Sequence, residues 1–283
     1  MYRDLNSQTE RELREYFQEE DYMVVAVPKA ELVRVYALRA RKTVEVARRI
    51  HGLKGKDAQA LGYALMSALL LTSLVKHATS QKVLFKMQNP CGVVAAEADG
   101  KGRVRGFVEG SPQDCWEEGT INVVKELRLG TPYTSIVPVV GRNFQEALLF
   151  YFEQSEQTRS YLQLHVSFGE ESSVKEAGAY LVQVLSGVSS ESVERLEENA
   201  RGLSIEGKRP EEVAVSLLKG MEPRLIGLKE VEYYCPCSEE IARSSLLLLE
   251  QEELEDLLNE GPAEVVCKFC KRVYRFSREQ LML

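Results

Sequence analysis

Hydrophobic positions along residues 1–185 follow two periods, one typical of strands and one typical of helices. Alternation with a period of two predicts strands at 23–27, 82–88, 120–127, 133–140, 160–168 and 177–185, and a hairpin over 92–110 that turns at Asp99-Gly100. Spacings of three and four predict helices at 38–50, at 56–78 and from about Phe144, and an amphipathic helix or a loosely held arm at 7–20. Helices and antiparallel hairpins mix without a βαβ rhythm, so we expect one α+β domain over 1–185.

The pattern changes near Ser186. From Glu191 to Glu230 sixteen of forty residues are charged and aromatic residues are absent. Two short helical segments, 192–201 and 209–221, are separated and interrupted by glycine and proline, and such helices are marginal without packing partners. Composition alone favours an ordinary helical linker over 186–230, and the alternative is a segment that is poised to unfold.

Residues 231–283 have the signals of a separate small unit. Ser238 is a plausible N-cap, and a helix over 250–260 ends at Gly261 before Pro262. A strand, a knuckle and a second strand follow over 264–276, and Ser277 with Gln280 forms a capping-box pattern.

Charge and hydropathy exclude several classes of function. The net charge of −7 argues against a broad nucleic-acid surface, because phosphate binding depends on Lys and Arg. The longest apolar run, 60–75, is too short to span a bilayer and contains Ser67, Thr72 and Ser73, so it predicts a buried core helix and no membrane association. No apolar signal-peptide segment is visible, and we expect a cytoplasmic protein, in which paired cysteines indicate metal or redox chemistry.

Four of the six cysteines form two close pairs, Cys235 with Cys237 and Cys267 with Cys270. Zn²⁺ prefers four tetrahedral ligands, and a short spacer lets two thiolates of one knuckle reach the same ion. The sequence therefore predicts a Cys₄ site that holds one Zn²⁺ per chain.

The remaining candidates for chemistry are isolated in the sequence. His51, His77 and His165 lie far from both pairs and are interpreted as structural or solvated. Cys91 and Cys115 stand apart and are each interpreted as a small core or surface residue, since no neighbour suggests a catalytic base. We predict no catalytic residue and no enzyme activity.

Metal should decide whether the C-terminal unit folds. A 53-residue unit is too small for its core alone to give secure stability. Structural zinc contributes about 10–16 kcal/mol of apparent binding energy in small domains, so loss of the metal should unfold this unit. Thiolates are also oxidisable, which makes a redox switch possible in principle.

The arrangement Cys235-x-Cys237, then 29 residues, then Cys267-x-x-Cys270 resembles that of the redox-regulated heat-shock chaperone family, the thirty-three-kilodalton heat-shock protein. The C-x-C pair is the unusual part, because ordinary zinc ribbons have two C-x-x-C knuckles. Further similar stretches are "YFEQSEQT" at 151–158, "RVRGFVEG" at 103–110 and "AGAYLVQVL" at 177–185, so that the resemblance covers nearly the whole chain.

The resemblance implies an ATP-independent, chaperonin-like holdase of the stress response that is inactive when reduced and zinc-bound. Oxidation then forms one disulfide from Cys235 and Cys237 and another from Cys267 and Cys270, and zinc is released. The C-terminal unit at 231–283, a redox-switch domain, and the linker at 186–230 unfold, and the chain binds unfolding client proteins as a homodimer. Neighbour disulfides of this kind close very small loops and would not join 235 to 270 as the metal does. The resemblance therefore favours a metastable linker.

Two rival classes remain open from the residues alone. A nucleic-acid-binding zinc ribbon could use the basic tail residues Lys268, Lys271, Arg272, Arg275 and Arg278, with Tyr274 and Phe276 stacking on bases. The acidic whole chain makes nucleic acid an unlikely partner. A thiol–disulfide oxidoreductase would explain "CKFC", but the βαβ setting of such enzymes is missing around it.

Overall fold

The structure is a computed structural model that describes residues 3–30, 32–73, 81–116, 118–126 and 131–281. Contacts divide the chain after Tyr233 into two compact units, called unit 1 and unit 2 here. Among the described residues no helix is both long enough and apolar enough to cross a membrane.

The described part of unit 1 contains strands β1 to β12 and helices α1 to α6. In chain order they are β1 (Arg3–Asp4), α1 (Ser7–Phe17), β2 (Tyr22–Pro28), β3 (Val33–Arg39), α2 (Arg41–His51), α3 (Gly55–Ser73), β4 (Lys82–Asn89), β5 (Gly92–Asp99), β6 (Arg103–Gly110), β7 (Thr120–Glu126), β8 (Tyr133–Pro138), α4 (Phe144–Tyr151), β9 (Arg159–Phe168), β10 (Val174–Val184), α5 (Ser190–Ala200), α6 (Pro210–Leu217), β11 (Pro223–Glu230) and β12 (Glu232–Tyr233). A short 3₁₀ turn, Pro112–Asp114, follows β6, and a π-helical turn, Phe152–Glu156, extends α4.

Two six-stranded sheets organise the described part of unit 1. The first has the order β1-β11-β2-β3-β10-β9 and the second the order β12-β6-β5-β4-β7-β8. Their ladders are antiparallel, except that β12 runs parallel to β6. The α+β class with antiparallel sheets and helices, expected from the sequence, is confirmed.

Helix α3 lies at the centre of the larger core. It packs on β4, β5 and β6 of the second sheet and on β9 and β10 of the first. Gly62 allows this approach, since a Cβ there would lie 2.9 Å from a methyl carbon of Val166. The predicted core helix is thus confirmed through Ser73, whereas its predicted end at 74–78, with His77, lies outside the described residues.

The segment 186–230 contains a strand that the sequence pattern did not predict. Strand β11 pairs with β2 from Pro223 to Glu230, with a register shift at Ile226, and with β1 on its other side. Helix α6 packs on β2 and β3, with Val213, Leu217 and Leu218 buried. Strand β3 was also missed, within "ELVRVYALRA". The expected boundaries at 185 and 230 concern how the chain responds to oxidation, and they stay a prediction.

Unit 2 is small and follows its sequence signals closely. It contains α7 (Glu239–Leu246), α8 (Gln251–Glu260), β13 (Ala263–Val266), β14 (Val273–Phe276) and α9 (Arg278–Leu281). The Ser238 hydroxyl caps α7 by accepting from the backbone N–H of Ile241 at 3.3 Å, and Gln280 Oε1 accepts from Ser277 N–H at 2.8 Å. Its buried apolar cluster is short: Ala242, Leu246, Leu254, Leu258, Ala263, Phe276 and Leu281.

Candidate metal centre

Two backbone knuckles present the four predicted cysteines of unit 2. Cys235 and Cys237 lie just before α7, and Cys267 and Cys270 lie in the turn between β13 and β14. In this turn the N–H of Lys271 donates to the carbonyl of Cys267 at 2.9 Å. Lys271 adopts a left-handed backbone with φ of 57°, which turns the chain back into β14.

The four sulfurs form one cluster. The Sγ of Cys235 lies 3.7 Å from that of Cys267, and the Sγ of Cys237 lies 3.2 Å from that of Cys270. All four Sγ atoms lie within 4.8 Å of one another. Four sulfurs at about 2.3 Å from one tetrahedral ion would be about 3.8 Å apart, so the cluster fits a metal ion of that kind.

The pKa values of two thiols in this cluster are shifted in opposite directions. Burial alone would raise the pKa of Cys237, but hydrogen bonds from Tyr274 and from the neighbouring thiols outweigh it and lower the pKa to about 7. Burial and the adjacent thiols Cys237 and Cys267 raise the pKa of Cys270 to about 12. Cys237 therefore loses its proton more readily than Cys270, and a bound cation would have to displace the proton of Cys270.

Tyr274 is a site residue that the sequence did not identify. It lies on β14, and its hydroxyl donates to Cys237 Sγ at 3.2 Å. Arg272 in turn places Nη1 3.5 Å from the Tyr274 oxygen and interacts electrostatically with Cys237 and Cys270. A tyrosine four residues after the last cysteine was the available signal, but the sequence offered it only as a possible base-stacking group.

The histidines show no link to the cluster where they are described. His51 lies in the last turn of α2. His165 lies on β9 with Nε2 3.9 Å from a carboxylate oxygen of Glu176, and His77 falls outside the described residues.

The interpretation of Cys91 and Cys115 as isolated residues is wrong. They form a disulfide in unit 1, with Cα atoms 5.8 Å apart. The hairpin of β5 and β6 explains it, because Gly92 pairs with Gly110, so Cys91 and the chain after β6 leave the hairpin at the same end. The predicted turn at Asp99-Gly100 already fixes which residues of the two strands face each other. Counting outward from this turn along both strands would have placed the two cysteines near each other.

Comparison with known proteins agrees with this geometry. The family model described as Hsp33 protein matches residues 21–277. The 33 kDa chaperonin of Aquifex aeolicus is 48% identical over 98% of this chain and 93% of its own length, and that of Bacillus subtilis is 30% identical over 92% and 97%. A crystal structure of the 33 kDa chaperonin of Thermotoga maritima superposes with a TM-score of 0.82 at 31% identity, covering 93% of this chain and 96% of that one.

Proposed function

The chain belongs to the Hsp33 protein family, and on this premise we propose that it is a redox-regulated, ATP-independent holdase. In the proposed cycle the reduced, metal-loaded chain is inactive. Oxidation of the four-thiol cluster activates it to bind unfolding proteins under oxidative stress. The observation that carries the proposal is the convergence of four thiols from two knuckles of a unit with a very small core.

Zinc is the metal that we propose for the reduced chain, one ion per chain. The donor set consists of four sulfurs, and thiolate-rich tetrahedral sites suit Zn²⁺ better than Mg²⁺ or Ca²⁺, which prefer oxygen. When bound, zinc would supply a cross-link between Cys235 and Cys237 on one side and Cys267 and Cys270 on the other. The hydrogen bond from Tyr274 orients and stabilises one of these thiolates.

The activating step is a two-electron oxidation of each neighbouring pair. Two thiols lose two electrons and two protons and form one S–S bond, while a hydroperoxide accepts both and its O–O bond breaks, giving water and an alcohol or a second water. We propose the pairs Cys235 with Cys237 and Cys267 with Cys270. Disulfide sulfur is a poor metal ligand compared with thiolate, so the metal leaves.

Unfolding of unit 2 then reaches the segment before it. Only Tyr234 separates strand β12 from Cys235, and β11 ends at Glu230, so loss of order in unit 2 begins next to two strands at sheet edges or near them. We propose that 186–230 is the metastable linker and that its release uncovers Val213, Val215, Leu217 and Leu218 for clients or for a second subunit. Three of these residues are buried in the structure, which supports this role: Val213, Leu217 and Leu218.

We propose that the protein acts in the cytoplasm, that it binds unfolded client proteins, and that it forms a homodimer when oxidised. Exposed aliphatic and aromatic side chains are what a holdase recognises in its clients, because they are buried in folded proteins. No catalytic residue is assigned, and neither a membrane nor nucleic acid is among the proposed partners.

A side-by-side assay of two redox states tests the function. Full-length protein is prepared reduced with zinc, and a second portion is treated with hydrogen peroxide. We expect about one zinc per chain in the first state, little in the second, and suppression of the aggregation of a heat-unfolded test protein only in the second, without ATP. Equal suppression by the reduced, zinc-loaded chain would contradict the proposal.

A further inference from the structure

The disulfide between Cys91 and Cys115 has no role in the cycle described above. Both residues lie in unit 1, whereas the four cysteines of the metal centre lie in unit 2 and are in the thiol form. One chain thus combines an oxidised pair with a reduced cluster. The two cysteines are half-buried, so small oxidants and reductants can reach them.

One side chain holds the two cysteine-bearing loops together. Asn89 Nδ2 donates to the carbonyl oxygens of Pro112 and Cys115, each at 2.6 Å. Its Oδ1 accepts from the backbone N–H groups of Cys91 and Gly92, each at 3.1 Å. All of these contacts are independent of the S–S bond, so the backbones of Cys91 and Cys115 are positioned in the reduced state as well.

Further contacts fix the loop of Cys115. The N–H of Ser111 donates to the carbonyl of Cys91 at 3.0 Å. Gln113 Nε2 donates to the carbonyl of Lys56 at 3.0 Å, and Asp114 forms an ion pair with the ammonium of Lys56 at the start of α3. The Cα separation of 5.8 Å lies within the range that a disulfide requires, so closure needs no movement of either loop.

We infer that Cys91 and Cys115 form a resting-state cross-link of unit 1 that is chemically separate from the four-thiol centre. Two thiols held at bonding distance by other contacts react at a high effective concentration, which favours the disulfide. Thiols engaged by a metal ion must leave the metal before they can form a disulfide. The bridge in unit 1 therefore closes first, while the metal is still bound in unit 2.

A hydroperoxide is the oxidant that forms the disulfide between Cys91 and Cys115. One thiolate attacks the peroxide and becomes a sulfenic acid, releasing water from hydrogen peroxide, and the second thiol condenses with it to the disulfide, releasing another water. Two electrons pass from the two sulfurs to the O–O bond. The same oxidant then acts on the two units in opposite ways, since it cross-links unit 1 and removes the cross-link of unit 2.

The role of the bridge in keeping the client-binding part of the chain folded rests on the proposed function. A holdase must keep its binding unit folded under the conditions that unfold its clients. The bridge closes a loop with a sequence separation of 24 and reduces the entropy of the unfolded chain, which stabilises unit 1. The part of unit 1 that precedes the proposed linker at 186–230 then stays folded after unit 2 has been oxidised.

The test follows both sites in the full-length chain. The fully reduced, zinc-loaded protein is freed of reductant, given one equivalent of hydrogen peroxide, and alkylated with iodoacetamide at intervals. Peptides linked through Cys91 and Cys115 are measured by mass spectrometry, and released zinc is measured with a chromogenic chelator. We expect the linked peptide to form while zinc is retained and the four cysteines of unit 2 can still be alkylated after acid denaturation.

Two variants separate preorganisation from chance proximity. Asn89→Ala should slow closure roughly tenfold or more, because the effective concentration of the two thiols falls. Asn122→Ala is the matched control, since its amide donates to the Thr120 hydroxyl of the same strand at 3.1 Å, and this variant should close at the wild-type rate. The double variant Cys91→Ser/Cys115→Ser should bind zinc normally, and its unit 1 should melt roughly 5–10 °C lower than that of the oxidised wild type.

Three results would overturn the inference. These are cysteines at 91 and 115 that become linked only after zinc release, mixed disulfides between either of them and the cysteines of unit 2, or a double variant that melts at the wild-type temperature. None of these readouts uses client binding. An oxidised chain that fails to hold clients would refute the proposed function and leave the order of closure measurable.

Discussion

The hydroxyl of Tyr274 donates a hydrogen bond to the Sγ of Cys237, 3.2 Å away. This contact joins strand β14 to the opposite knuckle, so the tyrosine connects the two halves of the metal centre. A donor to a ligating sulfur also stabilises the thiolate that a metal requires.

Replacing Tyr274 with phenylalanine should weaken the metal centre. Phenylalanine keeps the ring and its packing but removes the donor to Cys237. We expect zinc affinity to fall about 10-fold or more, as is usual when a partner of a metal ligand is lost. Competition with a chromogenic chelator measures the change. Tyr133→Phe is the control, because Tyr133 is exposed in unit 1, and an unchanged affinity in Tyr274→Phe would contradict the assignment.

Replacing Cys267 with serine should remove the metal and unfold unit 2. The buried apolar cluster of this unit has only seven members in its described part, and the metal contribution in such small domains is about 10–16 kcal/mol. Zinc content and amide exchange report the two effects. Cys91→Ser/Cys115→Ser provides the control, since it should retain about one zinc per chain. A Cys267→Ser protein with full zinc content would show that the four thiols are not the site.

Several features of both units were predictable because they depend on local chemistry. Residues close together in the sequence determine the helix caps at Ser238 and Ser277 and the turn at Asp99-Gly100. The grouping of the four cysteines into two pairs follows from their spacing in the same way. Strand β11 was not predictable in the same way. Leu225 and Ile226 are adjacent and break the period of two, and Ile226 and Leu228 are exposed. What makes the segment a strand is its pairing with the distant β2.

Contacts between residues far apart in sequence explain the other omissions. The disulfide of Cys91 and Cys115 depends on the register of a hairpin, and the role of Tyr274 depends on the approach of a knuckle 37 residues away. Neither the register of the hairpin nor the approach of the knuckle can be read from composition and periodicity. The sequence predicted which residue types could act, and the fold decided which of them meet.

Glu45 should make unit 1 sensitive to acid. Hydrogen bonds from Arg48 lower the pKa of its carboxyl to about 2, helped by the N–H of Val174 on β10 and by Arg49. The folded-state pKa is below the unfolded value, so this stabilisation is fully present above about pH 4.5 and is lost as the pH falls towards 2. Glu45→Gln should cost on the order of 2–3 kcal/mol near pH 7 and almost nothing below about pH 2.

Urea unfolding of unit 1 across this pH range checks the prediction for Glu45. Glu198→Gln is the control, because Glu198 is exposed on α5. A constant difference between wild type and Glu45→Gln from pH 7 to pH 2 would show that the loss comes from packing and not from the charge.

Glu211 should give the opposite pH dependence in the proposed linker. It is fully buried, its Oε2 accepts from the Tyr22 hydroxyl at 2.5 Å, and burial raises its pKa above 4.5. The folded state holds this proton more tightly, so stability falls as the pH rises from about 4.5 through the raised pKa. Gln at this position keeps an acceptor but cannot ionise.

Glu211→Gln should therefore flatten the decline in stability of unit 1 between pH 5 and 8. Hydrogen exchange in α6, measured in the full-length chain at several pH values, locates the effect on the linker helix that contains Glu211. The exposed Glu198→Gln again serves as control. If Glu211→Gln loses stability equally at all pH values, the carboxyl is ionised in the folded state and the assignment is wrong.

The pattern of disulfides after oxidation distinguishes two ways in which the centre could respond. Two short sulfur contacts run across the knuckles, from Cys235 to Cys267 and from Cys237 to Cys270. Disulfides with that pairing would replace the metal by covalent cross-links between the same two knuckles. Unit 2 would then remain held together, and the linker would have no reason to unfold.

We predict the neighbour pairing instead, Cys235 with Cys237 and Cys267 with Cys270. Each such bridge closes a loop of only a few residues, so it constrains the unfolded chain little and leaves the two knuckles unconnected. Peptide mapping of the peroxide-treated chain, digested between Cys237 and Cys267, identifies the pairing directly. Amide protection over 234–281 should fall in the same sample. Cross-knuckle bridges in a chain that nevertheless holds clients would separate activation from the unfolding of unit 2 and overturn the proposed switch.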